Sequence, residues 1–168
     1  NIKANAAGNL NILGGTADDS VTFYATESLT VLDTIDGGAG TDIIYVDIDD
    51  DLNAAGDNTT ATLDVNVTNI EKVVISDTAA DQGGGSGIVI TATVTVNSGY
   101  TGTSLEIDGT ALDQHPTTLT GGERLVANAS SNSALEAVTM KGGAFKDVLT
   151  GGAAADTLTG NGAADSLT

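Results

Sequence analysis

Hydrophobic side chains alternate with polar ones along most of the chain, and runs at the spacing of a helix are nearly absent. Thr and Val fill the alternating stretches, and both suit the pleated, half-buried surface of a β-sheet. Gly-rich clusters separate the stretches and predict tight turns. The pattern therefore predicts an all-β protein of short strands, arranged as a sandwich or a solenoid. The alternating positions are Leu10/Ile12, Val21/Phe23, Leu29/Val31, Ile43/Tyr45, Leu63/Val65/Val67, Val73/Ile75, Ile88/Ile90, Val94/Val96 and Leu105/Ile107.

A nine-residue repeat favours the solenoid. Residues 142–168 divide into three copies, GGAFKDVLT, GGAAADTLT and GNGAADSLT, each with Gly first, Asp sixth, an aliphatic residue eighth and Thr ninth. Two single copies lie earlier, GGTADDSVT at 14–22 and GGAGTDIIY at 37–45. Because two nonapeptides make one coil of 18 residues, residues 18 apart are expected to stack. Fixed-period repeats of this kind are typical of solenoids.

The repeats suggest two parts. We expect residues 1–138 to form a β-solenoid body with one or two isolated repeat turns, and residues 139–168 to begin a longer β-roll. Aliphatic–Glu pairs at residues 70–71, 105–106 and 135–136 are spaced like successive long coils. Whether residues 46–135 continue the solenoid or fold back as a sandwich stays open. The chain starts at Asn1 and stops within a repeat, so we expect a piece of a longer protein.

The nonapeptides resemble the G-G-x-G-x-D-x-U-x repeat of RTX proteins, a calcium-binding β-helix motif. The copy at 37–45 matches every specified position, and the tandem copies replace the fourth Gly. The resemblance implies a six-residue turn that binds calcium, followed by a short strand. The replacements are Phe145, Ala154 and Ala163, and Asn161 also stands at a second position.

Calcium chemistry suits these turns, because the ion prefers six to eight oxygen ligands from carboxylates and carbonyls. Gly lets main-chain carbonyls turn inward, and one Asp per turn adds charge. Stacking puts Asp147 beneath Asp165 and predicts a calcium shared by their two turns. Stacked carboxylates repel without a cation, so folding of this part is expected to require calcium. The predicted metal-site residues are Gly37, Gly38, Gly40, Asp42, Gly142, Gly143, Asp147, Gly151, Gly152, Asp156, Gly160, Gly162, Asp165 and Asp19.

The alternative is that the Gly and Asp residues only build turns. A second acidic cluster at residues 47–51 (DIDDD) fails as an EF-hand, because Leu52 and Asn58 replace the required Gly and Glu. This cluster either adds oxygens to a nearby site or forms a solvated loop.

Leu149, Leu158 and Leu167 are expected to point inward and form a thin core.

Composition excludes several functions. Five Lys and Arg against 23 Asp and Glu give a net charge of -18, which repels nucleic acid and anionic lipid. Without Cys there are no disulfides or zinc-thiolate sites, and no apolar run is long enough to insert into a membrane.

Catalysis is not expected within these residues. The single His115 has no partner histidine for a metal site, and no Gly-x-Ser-x-Gly elbow is present. A calcium-dependent lyase would need a basic residue near the ion. The sequence favours none of its candidates, Lys72, Arg124, Lys141 and Lys146.

The rest of the chain is similar to bacterial surface-layer proteins in its Thr, Ala and Asp richness and in residues 69–75. That similarity implies a structural calcium-binding segment that self-assembles into a lattice on the bacterial cell surface. The RTX resemblance implies type I secretion to the outside of the cell. Other copies of the chain are the expected partners, with cell-surface polysaccharide as a further candidate. Two alternatives are a module of a large RTX adhesin and an accessory segment of a secreted RTX hydrolase.

Overall fold

The computed structural model describes residues 2–4, 8–24, 28–48, 59–77, 89–112, 122–133 and 137–168. Within them the chain forms fifteen β-strands and no helix, which confirms the all-β prediction. No described segment is a helix that could span a membrane. The strands are β1 (Ile2–Ala4), β2 (Asn11–Gly15), β3 (Ser20–Phe23), β4 (Thr34–Gly38), β5 (Ile43–Ile48), β6 (Thr59–Leu63), β7 (Val67–Thr68), β8 (Lys72–Asp77), β9 (Val89–Val96), β10 (Ser104–Asp108), β11 (Gly122–Asn128), β12 (Ala137–Lys141), β13 (Val148–Thr150), β14 (Thr157–Thr159) and β15 (Ser166–Leu167).

Every described strand pair is parallel, so the strands form a solenoid. A seven-stranded sheet has the order β1-β3-β5-β8-β10-β12-β14, and a five-stranded sheet the order β15-β13-β11-β9-β6. A third sheet, β2-β4-β7, covers one side of the N-terminal coils. The strands β6 to β11 lie in these same sheets, so the described part of residues 46–135 continues the solenoid. The predicted boundary at residue 138 falls inside β12, and the division into two parts stays a prediction.

The coils lengthen and then shorten along the chain: in the seven-stranded sheet, stacked residues are 19 apart at Ile2 and Val21, 34 apart at Lys72 and Glu106, and 18 apart at Thr139 and Thr157. In the five-stranded sheet they are 33 apart where Thr91 meets Arg124, and 18 apart where Val148 meets Ser166. The predicted 18-residue stacking is therefore confirmed for the tandem repeats. The expected spacing of the aliphatic–Glu pairs is wrong by one residue, because Glu106 lies opposite Lys72 rather than Glu71. The third pair, at 135–136, lies outside the described residues.

The inward side chains are larger before the tandem repeats than within them. The coils before the tandem repeats bury Phe23, Tyr100 and a column of Ile, Val and Leu side chains. In the tandem coils Leu149 is buried and Leu158 packs partly against the core. Leu167, expected to point inward, is 47% exposed in the last coil described.

One strand presents the opposite face from the one that the alternation suggested. Ile43 and Tyr45 lie on the outer face of β5, and Ile44 is fully buried. Ile44 stacks between Val21 and Val73 on the neighbouring coils, so it continues their apolar column. The inward position is therefore the eighth of the nonapeptide.

Stacked β-turns connect coils of different length. Four turns, at residues 30–33, 64–67, 97–100 and 129–132, each close with the fourth N–H donating to the first carbonyl. The fourth residue of each turn is buried. Asn132 reaches back one coil and donates to the carbonyls of Asn97 at 2.9 Å and Tyr100 at 2.8 Å. Val31 and Val65 lie on the exposed side of these turns. The alternation that places them on one strand face with the buried Leu29 and Leu63 is therefore wrong at these two positions.

Candidate metal-binding turns

The three tandem repeats form three Gly–Asp turns, at residues 142–147, 151–156 and 160–165. The first and third lie on one side of the solenoid, because β13 and β15 pair in parallel. The main-chain N–H of Asp147 donates to Asp165 Oδ1 at 2.9 Å. The structure therefore places Asp147 next to Asp165 on adjacent coils.

The carboxylates of Asp147 and Asp156 each close their own turn and also hold the preceding coil. Asp147 Oδ2 accepts from the Gly143 N–H at 2.8 Å, and its Oδ1 accepts from the Leu125 N–H at 2.7 Å. Asp156 repeats this arrangement, with Gly152 at 2.7 Å and Val138 at 2.9 Å. The sixth residue of the repeat thus joins two coils through main-chain donors.

The Asp side chain folds back over its own turn, and this explains why the first residue of the repeat is Gly. A Cβ on Gly142, Gly151 or Gly160 would lie 2.1, 2.3 or 2.0 Å from the Oδ2 atom of the Asp in its own turn. Contacts under 3.0 Å require something to shift. Gly at the first position and Asp at the sixth therefore depend on each other sterically.

The two single copies are far apart from the tandem repeats in sequence, yet they are adjacent to each other in the fold. The turn at 37–42 stacks on the turn at 14–19, because Asp19 N–H donates to Asp42 Oδ1 at 2.7 Å. Ala39 N–H also donates to the Gly15 carbonyl at 3.0 Å. The coil between them has 23 residues instead of 18, so the nonapeptide spacing did not reveal the pair.

A third level lies on this corner, outside every nonapeptide. The Asp42 N–H donates to Glu71 Oε2 at 2.7 Å, so Glu71 occupies the place of the next Asp. Asn69 takes the place of the next Gly, and its φ of 53° is in the left-handed region. A Cβ on Gly37 would lie 2.0 Å from the Asn69 carbonyl oxygen. No nonapeptide covers these residues; the sequence signals were an Asn suited to a turn and the aliphatic–Glu pair at 70–71, and neither pointed to a metal site.

Asp42 differs from Asp19, Asp147 and Asp156. Its Oδ2 atom is buried and has no hydrogen-bond partner among the described residues. Gly38 supplies no donor to it, because the Gly38 N–H donates to Asp36 Oδ1 at 3.1 Å. A buried carboxylate oxygen without a donor is costly unless a cation or proton compensates it, and this fits a calcium ligand.

Electrostatics at the tandem turns also favour a cation. Burial raises the pKa of Asp147, and the carboxylate of Asp165 raises it further. The N–H groups of Leu125 and Gly143 oppose the shift by hydrogen bonding to the charged form. A nearby cation would stabilise the ionised form of Asp147.

Main-chain oxygens would have to supply most of the ligands. No group of three or more Asp, Glu or His side chains in the described ranges is placed to hold a metal ion. One carboxylate per turn together with Gly-turn carbonyls is an oxygen set that calcium accepts. The residues present therefore fit the ion without a side-chain cluster.

The remaining candidates are accounted for separately. Asp47 is buried and accepts from Ser76 Oγ at 3.0 Å, whereas residues 49–51 and His115 lie outside the described residues. Lys72 pairs with Asp108 at 2.7 Å. Lys141 pairs with Glu106, and Arg124 donates to Thr91 Oγ1 at 3.0 Å. Lys146 is exposed.

A family described as the RTX calcium-binding nonapeptide repeat (4 copies) matches residues 33–52 and 139–168. The chain carries RTX repeats. RTX nonapeptides are calcium-binding motifs, so calcium is the cofactor of these turns. The matched residues include the 37–42 turn and the tandem turns, and they leave out the turn at 14–19. No curated protein and no solved structure matches the chain.

Proposed function

We propose that this chain is a structural, calcium-stabilised segment of a secreted bacterial surface-layer protein. The observation that carries the proposal is the stacking of RTX turns on adjacent coils at two places in the solenoid. Such turns bring carboxylates together and so link the stability of the coils to a cation. Export through type I secretion, as is general for RTX repeat proteins, belongs to the same proposal.

Two pairs of turns are the proposed calcium sites. The turns at 142–147 and 160–165 share one site, with Asp147 and Asp165 as the carboxylates. The turns at 14–19 and 37–42 share the other, with Asp19 and Asp42. When bound, calcium supplies the positive charge that lets these carboxylates stay ionised at close range.

Assembly into a lattice is the proposed role of the whole segment. The parallel sheets give the solenoid extended faces, and the net charge of -18 makes copies of the chain repel one another. Calcium between acidic surfaces would remove that repulsion, so assembly should depend on the ion. The proposed role is structural, with the ligands and charges serving stability and contact.

A calcium titration of the purified chain tests this function. Circular dichroism and particle size are followed in the same samples, with EGTA-treated protein as the reference and magnesium as the control for charge screening. We expect calcium, and not magnesium, to increase β-structure and then to produce large ordered particles.

Other results would change the assignment in defined ways. Calcium-dependent folding that leaves a monomer would contradict the lattice and favour an adhesin module or an accessory segment of a hydrolase. Equal responses to both cations would mean that only charge screening is involved. No response to either cation would mean that the Gly–Asp turns are only turns.

A further inference from the structure

The aspartates of the Gly–Asp turns differ in the hydrogen bonds and burial of their Oδ2 atoms. In Asp19, Asp147 and Asp156, the Oδ2 atom accepts a hydrogen bond from the second Gly of the same turn, at 2.7–2.9 Å. In Asp165 the hydrogen bond goes to Oδ1 and the residue is partly exposed, whereas in Asp42 the Oδ2 atom is buried without a hydrogen-bond partner in the described part of the chain. The difference arises because Asp36, on the strand before the turn, takes the Gly38 N–H.

The surroundings of Asp42 favour a cation. The residue is 1% exposed. It lines a small cavity together with Asp19 and Asp36, whose other lining residues are Gly14, Gly37 and a set of Ile and Val side chains, none of them basic. The position of a Cβ on Gly37 would be 2.6 Å from Asp42 Oδ2 and 2.0 Å from the Asn69 carbonyl oxygen. A carboxylate oxygen and a carbonyl oxygen therefore lie side by side where Gly leaves space.

The rest of the Asp42 carboxylate and main chain is already fixed. Its Oδ1 accepts from the Asp19 N–H at 2.7 Å, and its N–H donates to Glu71 Oε2 at 2.7 Å. The neighbouring coils on both sides thus orient the carboxylate. Its free oxygen is already held in place, so calcium binding costs little further conformational entropy at this residue.

We propose that Asp42 Oδ2 and the main-chain carbonyl of Asn69 form the first calcium site to fill, ahead of the tandem turns. This inference rests on the proposed calcium-binding function and adds a ligand, Asn69, from outside every repeat. Binding at Asp42 Oδ2 displaces no hydrogen bond among the described residues. Binding through Asp147 or Asp156 Oδ2 competes with the N–H of Gly143 or Gly152, which would lose its acceptor, and the remaining tandem carboxylate, Asp165, is partly exposed to water.

A calcium chloride titration of the ¹⁵N-labelled chain, followed by NMR, tests the order of filling. Reporters of the first site are the amides of Asp42 and Ile70, because the Ile70 N–H belongs to the same peptide group as the Asn69 carbonyl. Reporters of the tandem turns are the amides of Gly143 and Gly152. We expect the first pair to reach its midpoint at an about tenfold lower calcium concentration than the second.

A matched pair of variants separates the two kinds of aspartate. In Asp42→Asn, the side-chain NH₂ group takes the place of Oδ2, next to the Asn69 carbonyl oxygen. The chain without calcium should therefore melt at a temperature no lower than that of the wild type. The tightest calcium-binding step should weaken about tenfold. Asp156 accepts hydrogen bonds from the N–H groups of Gly152 and Val138. In Asp156→Asn, the new NH₂ group cannot accept one of these bonds, so the chain without calcium should melt at a lower temperature than the wild type. The tightest step should stay unchanged in Asp156→Asn.

The outcomes distinguish this inference from the function on which it rests. If the Gly143 and Gly152 amides respond first, or if Asp42→Asn keeps the tightest step, the order is wrong and calcium binding stands. If Asp42→Asn melts lower without calcium, as Asp156→Asn does, the assignment of a free Oδ2 is overturned. If no amide responds to calcium, both the order and the proposed function are overturned.

Discussion

At the scale of single residues, the RTX motif is a set of steric constraints. The first Gly leaves room for the Asp that folds back on it, as in Gly142 with Asp147. The Gly38 and Gly40 residues have φ angles of 96° and 138°, which side chains rarely adopt. At the fourth position of the last copy, Ala163 takes a φ of 63° and bears the strain that Gly would avoid. The consensus therefore records backbone geometry as much as metal ligands.

Gly40→Ala should destabilise the fold by about 1–3 kcal/mol. Its φ of 138° disfavours a side chain, and a Cβ would lie 2.8 Å from the Ala17 carbonyl carbon on the preceding coil. Thermal unfolding with and without calcium measures the effect. Gly8→Ala is the control, because a Cβ on Gly8 meets nothing within 4 Å. Equal melting of the two variants would contradict the close packing of the two turns.

At the scale of elements, buried polar bridges keep coils of unequal length in register. The Tyr100 hydroxyl donates to the Ile70 carbonyl on the preceding coil, and both residues are buried. Burial raises the pKa of Tyr100, and the carboxylate of Glu71 adds to the shift, so the hydroxyl stays a donor. Asn132 makes the equivalent reach from the following coil. These bonds supply main-chain partners at a corner where strand pairing ends.

Tyr100→Phe should lower the free energy of unfolding by about 1–2 kcal/mol, because the Ile70 carbonyl would lose a buried donor. Chemical denaturation of the calcium-loaded chain gives this difference. Tyr45→Phe removes the same hydroxyl from the outer face of β5 and should change stability little. A cost that is the same for both substitutions would rule out the bridge as its source.

The outer face of the seven-stranded sheet carries an ion-pair network across β8, β10 and β12. Lys141 donates to Glu106 and chiefly causes the lowered pKa of that carboxyl, with Lys72 contributing as well. Burial works to raise the pKa of Asp108, but hydrogen bonds from Lys72 and Thr110 lower it overall. The hydrogen bond to Asp108 is the main cause of the raised pKa of Lys72. Adjacent strands are thus joined by charge as well as by main-chain bonds.

Stability from this network should be lost in acid. Because the folded-state pKa of Glu106 is lower than its ordinary value, its contribution is full above the usual glutamate range and disappears as the pH falls through the folded value. Glu106→Gln should be less stable than the wild type by up to about 1 kcal/mol at neutral pH, since the groups are partly exposed. The difference should shrink below about pH 4 and in high salt. A difference that ignores both pH and salt would exclude an ionic origin.

At the scale of the whole molecule, coil length rises from 19 and 23 residues at the first strands to 34 in the middle, and falls to 18 in the tandem repeats. The coils before the tandem repeats bury Phe23, Tyr100 and many Ile, Val and Leu side chains, whereas the tandem coils bury little beyond Leu149 and part of Leu158. Hydrophobic burial scales with apolar area, so the tandem coils gain less from their core. Calcium should therefore matter more for the tandem coils than for the coils before them.

The double variant Asp147→Asn/Asp165→Asn should lower calcium affinity at the tandem turns about tenfold or more, because both carboxylates of the proposed shared site are lost. Isothermal titration calorimetry with calcium chloride measures the change, and circular dichroism follows the C-terminal coils. Asp57→Asn, at a residue outside every repeat, removes one charge as a control. Equal effects of the double variant and the control would overturn the site assignment.

The sequence by itself determined the repeating elements of this protein. Alternating positions and Gly clusters are local features, so they predicted short strands and turns. The nonapeptide period predicted the 18-residue coil, and the resemblance of the nonapeptides to RTX repeats implied calcium. Side-chain direction was less certain: Ile43, Ile44 and Tyr45 are all large, and only stacking on Val21 and Val73 decided that Ile44 points inward.

Only the tertiary structure decided which distant turns share a corner. The 14–19 and 37–42 turns are adjacent because a 23-residue coil returns the chain to the same place, and Asn69 and Glu71 join them although no repeat includes them. The free oxygen of Asp42 likewise depends on Asp36 taking the Gly38 N–H. Coil length and competition for hydrogen-bond donors are properties of the packed solenoid, and a local motif does not contain them.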